Sequence, residues 1–310
     1  RNEYDVIHSH EEAAFFSVVL SQMFGTRHVY DMHSSLSQQL GSHPRWSLWP
    51  FVALFEVLER WVIRTCDAVI TIGVDLEEQV VEINPEARTV LIQNLAVDIG
   101  DGGSSEVVAA ELREQMRLDG KLVVVYTGNF ERYQGLGLLM ESARIVKERC
   151  PELLLLMVGG TPEQVEEWEE RARGRGLGDC VRFTGTVPLA EAMAYLNLAE
   201  ILVSPRTEGM SVPLKIYSYL HSGKPIVATD MEAHSQVLSE EMAVLVAPTE
   251  EAFAEGILTL VKSPALRKRL GLRAEQFARE RFNPTDYVAR LDRIYQEPAL
   301  AVSFAEERAP

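Results

Sequence analysis

The chain has 310 residues, 46% of them hydrophobic and 25% charged, a globular composition with length for about two domains. Its formal net charge of −16 argues against nucleic acid as a partner, because phosphate backbones are held by clustered Lys and Arg. The same charge weighs against adsorption to anionic lipid by electrostatics alone. Cys66, Cys150 and Cys180 lie far apart without CxxC spacing, so they read as reduced thiols of an intracellular protein, with no disulfide framework or zinc site. No apolar run reaches the ~18 residues a bilayer span needs, and no signal peptide opens the chain. The first residues, Arg1 to Ile7, run straight into a strand-like stretch, so the first domain is expected to lack its N-terminal portion.

Short apolar, β-branched runs alternate with amphipathic stretches from end to end. Strands are expected at Asp5–His8, His28–Met32, Ala68–Ile72 and Thr89–Gln93, then at Lys121–Thr127, Leu153–Val158, Cys180–Thr184, Ile201–Ser204, Ile226–Ala228 and Ala243–Val246. They lack clean alternation, as expected where helices cover both faces of a parallel sheet. Helices are expected at Gly135–Arg149 and Pro162–Arg173, and at the end of the chain over Glu250–Lys262, Ala265–Arg281 and Asn283–Gln296. The pattern breaks at "VDIGDGGSSEVV" (Val97–Val108), whose Gly, Ser and Asp predict a linker. The expected division is 1–100, 101–285, a returning helix over 286–297 and a tail over 298–310. The class is α/β, with the second block a complete doubly wound domain and the first an incomplete one.

In such sheets ligands bind beyond the carboxyl ends of the strands. "VYTGNFERYQG" (Val125–Gly135) and "MVGGTPEQ" (Met157–Gln164) supply glycines there, which as strand-to-helix turns are equally consistent with a purely structural role. "SPRTEGMSVPLKIYSYLHSGKP" is more specific. Glu208-Gly209 follows a strand, Pro213 fits the first turn of a helix running through Leu220, and backbone N–H groups near Met210–Leu214 offer an anion site. Lys215 in that first turn is unfavourable unless an anion binds nearby. The plainer readings are a solvated loop carboxylate for Glu208 and a surface charge for Lys215.

These ordered motifs resemble the retaining, metal-independent glycosyltransferases of family 4, which have the GT-B fold: two Rossmann-like domains facing a cleft. The stretches that carry the resemblance are "YTGNFERYQGLGLLMESARIVKERCPELLLLMVGG", "VRFTGTVPLAEAMAYLNLAEILVSPRTEG" and "PLKIYSYLHSGKPIVATD", preceded by "YDVIHSHEEAAF", "RHVYDMHSS" and "CDAVITIGVDLEEQV". The resemblance implies a nucleotide-diphosphate sugar donor, no cofactor and no metal; no DxD sequence occurs. Glu208 resembles the first acid of the family's E-x7-E motif, facing the donor sugar. Gly209, Met210 and Ser211 resemble the loop around the diphosphate, with Gly128 opposite. The second acid falls at Ser218, with two extra residues between, and Ser offers one hydrogen bond to a ribose where a carboxylate offers two. Gly159, Gly160, Thr186 and Val187 are expected at the nucleoside.

The family's diphosphate-neutralising Arg and Lys are replaced by Asn129 and Gln134. Arg132, Arg206 and Lys215 could compensate, Arg206 and Lys215 being the preferred pair. His10 resembles the family's cleft histidine beside the transferred sugar. His33 is expected at the neighbouring strand end, either on the acceptor side of the cleft or as a structural hydrogen-bonder. "PRWSLWPFVALFEVLERWVIR" (Pro44–Arg64) is rich in rings, which suits a core-facing helix or a surface for a membrane or a lipid-linked acceptor. The expected location is cytoplasmic, with peripheral contact to the inner membrane face in the latter case. The acceptor is unspecified. Rival readings are a nucleotide-sugar epimerase or hydrolase of the same fold, a non-catalytic binder of nucleotide sugars, and a chain left inactive by its missing N-terminal segment.

Overall fold

A computed structural model of the chain describes residues 4–35, 49–95 and 102–296. The chain divides into two compact units, residues 1–94 with 284–310 and residues 95–283.

The smaller unit holds four parallel strands, β1 (Val6–His10), β2 (Arg27–Met32), β3 (Ala68–Thr71) and β4 (Thr89–Leu91), in that spatial order. Its helices are α1 (Ala14–Phe24), α2 (Trp49–Thr65) and α3 (Val74–Ile83), joined by α12 (Pro284–Gln296) from the end of the chain. Successive strand residues serve opposite faces, and here both faces are covered. Tyr30, Met32 and Val69 pack with Ala14, Val18, Val62, Ile63, Leu76 and Val80 of α1 to α3. Val29, Ala68 and Ile70 pack on the other side with Ile294 of α12, flanked by Tyr287, Leu291 and Tyr295 at helical spacing. Backbone carbonyls of α12 take hydrogen bonds from Arg27 (to Tyr295, 2.5 Å) and Arg88 (to Arg293, 3.0 Å).

Of the aromatic stretch, residues 44–48 lie outside the described residues. Within α2, Val62 and Ile63 are fully buried, whereas Leu54 and Val57 face solvent. They share that exposure with Phe16, Val19, Leu20, Met23 and Phe24 of α1. The core reading therefore holds for one side of α2 only. Among the described residues no helix is long and apolar enough to cross a membrane.

The larger unit has six parallel strands: β5 (Leu122–Thr127), β6 (Leu153–Val158), β7 (Val181–Gly185), β8 (Ile201–Ser204), β9 (Ile226–Thr229) and β10 (Ala243–Val246). They lie in the order β10-β9-β8-β5-β6-β7. Helices α5 (Leu136–Arg149), α6 (Pro162–Gly174) and α10 (Glu250–Lys262) cover one face, on a core that includes Val124, Tyr126, Leu155, Met157 and Val203. On the other, Val125, Leu156, Leu202 and Ala228 meet α7 (Leu189–Leu198), α8 (Lys215–His221) and α11 (Pro264–Arg281). Two expectations need correction. The predicted linker ends sooner, because Gly102–Gln115 forms a helix, α4, which packs through Val108, Ala109 and Leu112 on that second core; tertiary burial outweighs the poor propensity of its Gly and Ser. Residues 97–101 lie outside the described residues, as do 298–310. The helix expected from Pro213 starts later, at Lys215, with the Pro213 carbonyl accepting a single turn-like bond from Ile216 N–H at 2.9 Å.

Candidate active site

From β5 the chain builds outward through β6 and β7, then returns to the other side of β5 with β8, β9 and β10. The carboxyl ends of β5 and β8 thus part at a switch point, where open parallel sheets leave a crevice for ligands. The loops leaving these strands are 128–135 and 205–214, two of the three that the sequence singles out. They are pinned together: Thr207 N–H donates to the Tyr133 carbonyl at 3.0 Å. Gly135 has φ 72°, and a Cβ there would lie 1.9 Å from the Pro205 carbonyl oxygen. Only glycine permits both that conformation and that approach.

Lys215 begins α8 and reaches across to the first loop. Its Nζ donates to Gln134 Oε1 at 3.0 Å and stands 3.9 Å from the centre of the Tyr126 ring, a cation–π contact. An ammonium only donates, so Gln134 must turn its carbonyl to it. The Gln134 amide NH2 then donates to Asn129 Oδ1 and the Asn129 NH2 to the Tyr133 hydroxyl, both at 3.1 Å. Asn129 and Gln134, which stand where Arg and Lys were expected, are therefore the polar seat of a lysine delivered from α8. Arg206 lies alongside, its guanidinium 5.0 Å from the Tyr133 ring centre and its Nε donating to the Glu208 carbonyl at 2.7 Å.

Burial of the ammonium, reinforced by the Arg206 charge, holds the Lys215 pKa well below the usual lysine range. Burial likewise lowers that of Arg206. Among the described residues neither cation has a carboxylate partner. Both residues are half-buried, and a partly desolvated charge without a counter-ion raises the free energy of the empty fold, which a bound anion would lower. Arg132 is different: 94% exposed, its Nε stands 3.8 Å from the 60% exposed Glu208 carboxylate, a pair that water screens.

The second loop also presents free amides. Among the described residues, the N–H groups of Gly209, Met210, Ser211 and Val212 make no hydrogen bond, and the first three residues are exposed. Gly209 has φ 94°, and a Cβ there would stand 2.4 Å from Arg206 Nη2. Because α8 is short and begins beyond this loop, its dipole adds less to the anion site than a longer helix would.

The nucleoside candidates meet at the ends of β6 and β7. Gly128 N–H donates to the Val158 carbonyl and Gly159 N–H to the Gly185 carbonyl, each at 2.9 Å. Thr186 Oγ1 donates to the Gly160 carbonyl at 2.9 Å, and Val187 packs against the core beside it. Ser218 is half-buried in α8, one turn past Lys215.

In the smaller unit, β1 and β2 pair with His10 opposite Asp31. The His10 and His33 rings stand edge to face, 4.2 Å between centres. Asp31 Oδ1 is 3.2 Å from His33 Nε2, and Oδ2 is 3.5 Å from His8 Nε2. His8 Nδ1 in turn meets the Tyr295 hydroxyl at 2.5 Å. Burial opposes the Asp31 charge, yet hydrogen bonds from His33 and His8 keep its carboxyl far below the ordinary range. The Asp31 bond raises the His33 pKa against burial. His10, Asp31 and His33 have ligand-type atoms within 4.8 Å of one another, the arrangement closest to a metal site among the described residues; the carboxylate already meets two histidines. Glu11, next to His10, holds φ 51° and accepts from Ser34 Oγ at 2.9 Å, a left-handed conformation that costs a non-glycine residue roughly 1–3 kcal/mol.

Sequence reasoning missed Asp31, His8, Tyr126 and Tyr133. Asp31 was legible, since it lies near the carboxyl end of β2, two residues before His33. The tyrosines gave no local signal, because the cations they face arrive from residues 206 and 215.

The pattern of the family described as "Glycosyl transferases group 1" matches residues 121–263, and that of "Glycosyltransferase Family 4" matches residues 1–97. The alpha-D-kanosaminyltransferase of Streptomyces kanamyceticus is 26% identical over 95% of this chain and 78% of its own length. The phosphatidyl-myo-inositol mannosyltransferase of Mycobacterium leprae is 28% identical over 67% of this chain, which spans 55% of that protein. Among solved structures, Anabaena HepE in complex with UDP and glucose superposes with a TM-score of 0.78 at 17% identity, covering 95% of this chain and 78% of HepE. The sucrose-phosphate synthase of Thermosynechococcus elongatus gives 0.73 at 21% identity, covering 94% and 73%. With the sheet topology above, these likenesses identify a GT-B architecture. The chain belongs to the group 1, family 4 glycosyltransferases.

Proposed function

We propose that this glycosyltransferase takes its sugar from a nucleotide-diphosphate donor, retains the anomeric configuration and needs no metal. The observation that carries the reading is the Lys215 ammonium, seated on Gln134 and Tyr126 beside Arg206, without a counter-ion among the described residues. A diphosphate gains negative charge as the glycosidic bond breaks, and preorganised cations in a desolvated site stabilise that charge strongly. Lys215, Arg206 and the amides of Gly209 to Ser211 would hold the diphosphate, with Arg132 at its solvent side. Glu208 would face the donor sugar, and Gly159, Gly160, Thr186 and Ser218 the nucleoside. His10 and His33 of the smaller unit would serve the acceptor side. HepE, similar in fold, is solved with UDP, which supports a nucleoside diphosphate as the first probe.

The Lys215–Gln134 contact also bears on the rival of a non-catalytic binder. That rival was suggested by the loss of the family's Arg and Lys, and here a lysine from another element reaches the substituted position. The exposed apolar residues of α1 and α2 favour a lipid-linked acceptor, which binding to neutral phosphatidylcholine vesicles would test. For the donor, thermal shift with UDP, GDP, ADP and dTDP, with and without EDTA, identifies the nucleotide and checks the metal. NMR of the product then reads the anomeric outcome. Stabilisation by none of the four nucleotides, or one abolished by EDTA, contradicts the reading; sugar release without an acceptor favours a hydrolase.

A further inference from the structure

Beneath the 205–214 loop lies a closed polar chain. Ser204, Thr229 and His234 are each fully buried, an arrangement that needs every polar atom partnered. Ser204 ends β8 and Thr229 ends β9, while His234 belongs to the short helix α9 (Glu232–Ser235). His234 Nδ1 is 2.8 Å from the Thr229 carbonyl, which can only accept, so Nδ1 carries the proton. Nε2 is then the acceptor, and Ser204 Oγ donates to it at 2.8 Å. The protonated Nδ1 also faces Thr229 Oγ1 at 3.2 Å, which turns the hydroxyl proton away from the ring. That hydroxyl donates to the Arg206 carbonyl at 2.6 Å. Burial, with Arg206 and Lys215 nearby, brings the His234 pKa down to about 4, so the ring stays neutral at ordinary pH.

We propose that Ser204, His234 and Thr229 form a positioning relay that anchors the Arg206 carbonyl and so aims its guanidinium at the donor diphosphate. The inference rests on the reading of Arg206 as a diphosphate ligand. The histidine sets the direction of the relay. One tautomer, fixed by two partners, orients the Thr229 hydroxyl, and the hydroxyl holds Arg206, the second residue of the loop, whose side chain bends onto Tyr133. The anchored carbonyl belongs to the Arg206–Thr207 bond, which trypsin cleaves once the segment is released.

Two variants test the relay. Thr229→Val keeps the shape of a β-branched strand residue and removes the hydroxyl. His234→Phe removes both ring partners, with His234→Gln as the conservative control. Trypsin cleavage after Arg206 is measured by mass spectrometry against cleavage after the solvent-exposed Arg132, alongside melting temperature and UDP affinity. The expected result is a rise of roughly tenfold in the cleavage ratio for Thr229→Val and His234→Phe, the scale of one net hydrogen bond. UDP binding weakens by about threefold to tenfold, His234→Gln recovers part of both, and the melting temperature of Thr229→Val stays within a few degrees of wild type. An unchanged cleavage ratio in Thr229→Val overturns the relay. So does unchanged UDP affinity in Thr229→Val when Arg206→Ala weakens it. If Arg206→Ala itself leaves UDP binding intact, the diphosphate reading of Arg206 fails, and the proposed aiming role fails with it.

Discussion

Replacing Lys215 with Met separates binding from folding. The side chain is similar in length but carries no charge. A diphosphate would lose one enclosed, charge-assisted contact, and truncating such a partner costs about 3 kcal/mol. That corresponds to ~150-fold weaker binding of UDP or inorganic pyrophosphate by titration calorimetry. The effect on the fold has the opposite sign or none. The empty protein holds Lys215 beside Arg206 without a carboxylate, and removing the charge relieves that repulsion. The single variant leaves Gln134 Oε1 without its donor, which offsets the relief. In the double variant Lys215→Met, Gln134→Leu both partners go, which is near neutral or stabilising. A gain of about 1 kcal/mol would raise the melting temperature by roughly 2–4 °C in a unit of this size. The pH dependence follows from the lowered pKa. A lysine that folds with a pKa below its unfolded value of 10.5 destabilises the fold fully at pH below the folded pKa. That deficit shrinks as pH rises from the folded value towards 10.5, and the Met variant should lack this alkaline gain. Unchanged affinity for both probes, or a loss accompanied by a melting temperature many degrees lower, would refute the assignment of Lys215 to the diphosphate.

Glu208→Ala should abolish sugar transfer in a coupled assay while the melting temperature moves by less than about 1 °C, because the carboxylate is exposed and its only ion pair among the described residues is long and screened. Gly135→Ala should destabilise the larger unit by roughly 2–4 kcal/mol in urea unfolding, since its Cβ would meet the Pro205 carbonyl in a left-handed conformation. Asp31→Asn should lower the His33 pKa read by NMR titration. The raised His33 pKa gives wild type a stability increment fully present below 6.5 and lost as pH rises through the folded value, and the variant should lack that step. Ile294→Ala should cost about 2–5 kcal/mol in the smaller unit, because its side chain is the buried contact of α12 with β2 and β3.

Most of the strands and several helices were legible because apolar runs and amphipathic periods are local signals. Leu153–Val158, Ile201–Ser204, Ala243–Val246 and Glu250–Lys262 fall where the sequence puts them. The start of α4 was not legible, since Gly102 to Ser105 have poor propensity and the burial that recruits the helix comes from α7. Nor was the late start of α8, where Pro213 fits a first helical turn yet precedes it. Lys215 was flagged by its awkward place in a first turn. Its seat on Gln134 and Tyr126 depends on residues some 80 positions upstream, which only the fold brings near. Asn129 and Gln134 read as losses in one dimension and as a scaffold for a relocated charge in three.

The most direct test of the anion site is a crystal structure of the protein grown with UDP. The account predicts the diphosphate at the loop after β8, within hydrogen-bond distance of Lys215 Nζ and at least one amide of Gly209 to Ser211. A diphosphate ordered elsewhere, with Lys215 still bound only to Gln134, would contradict it.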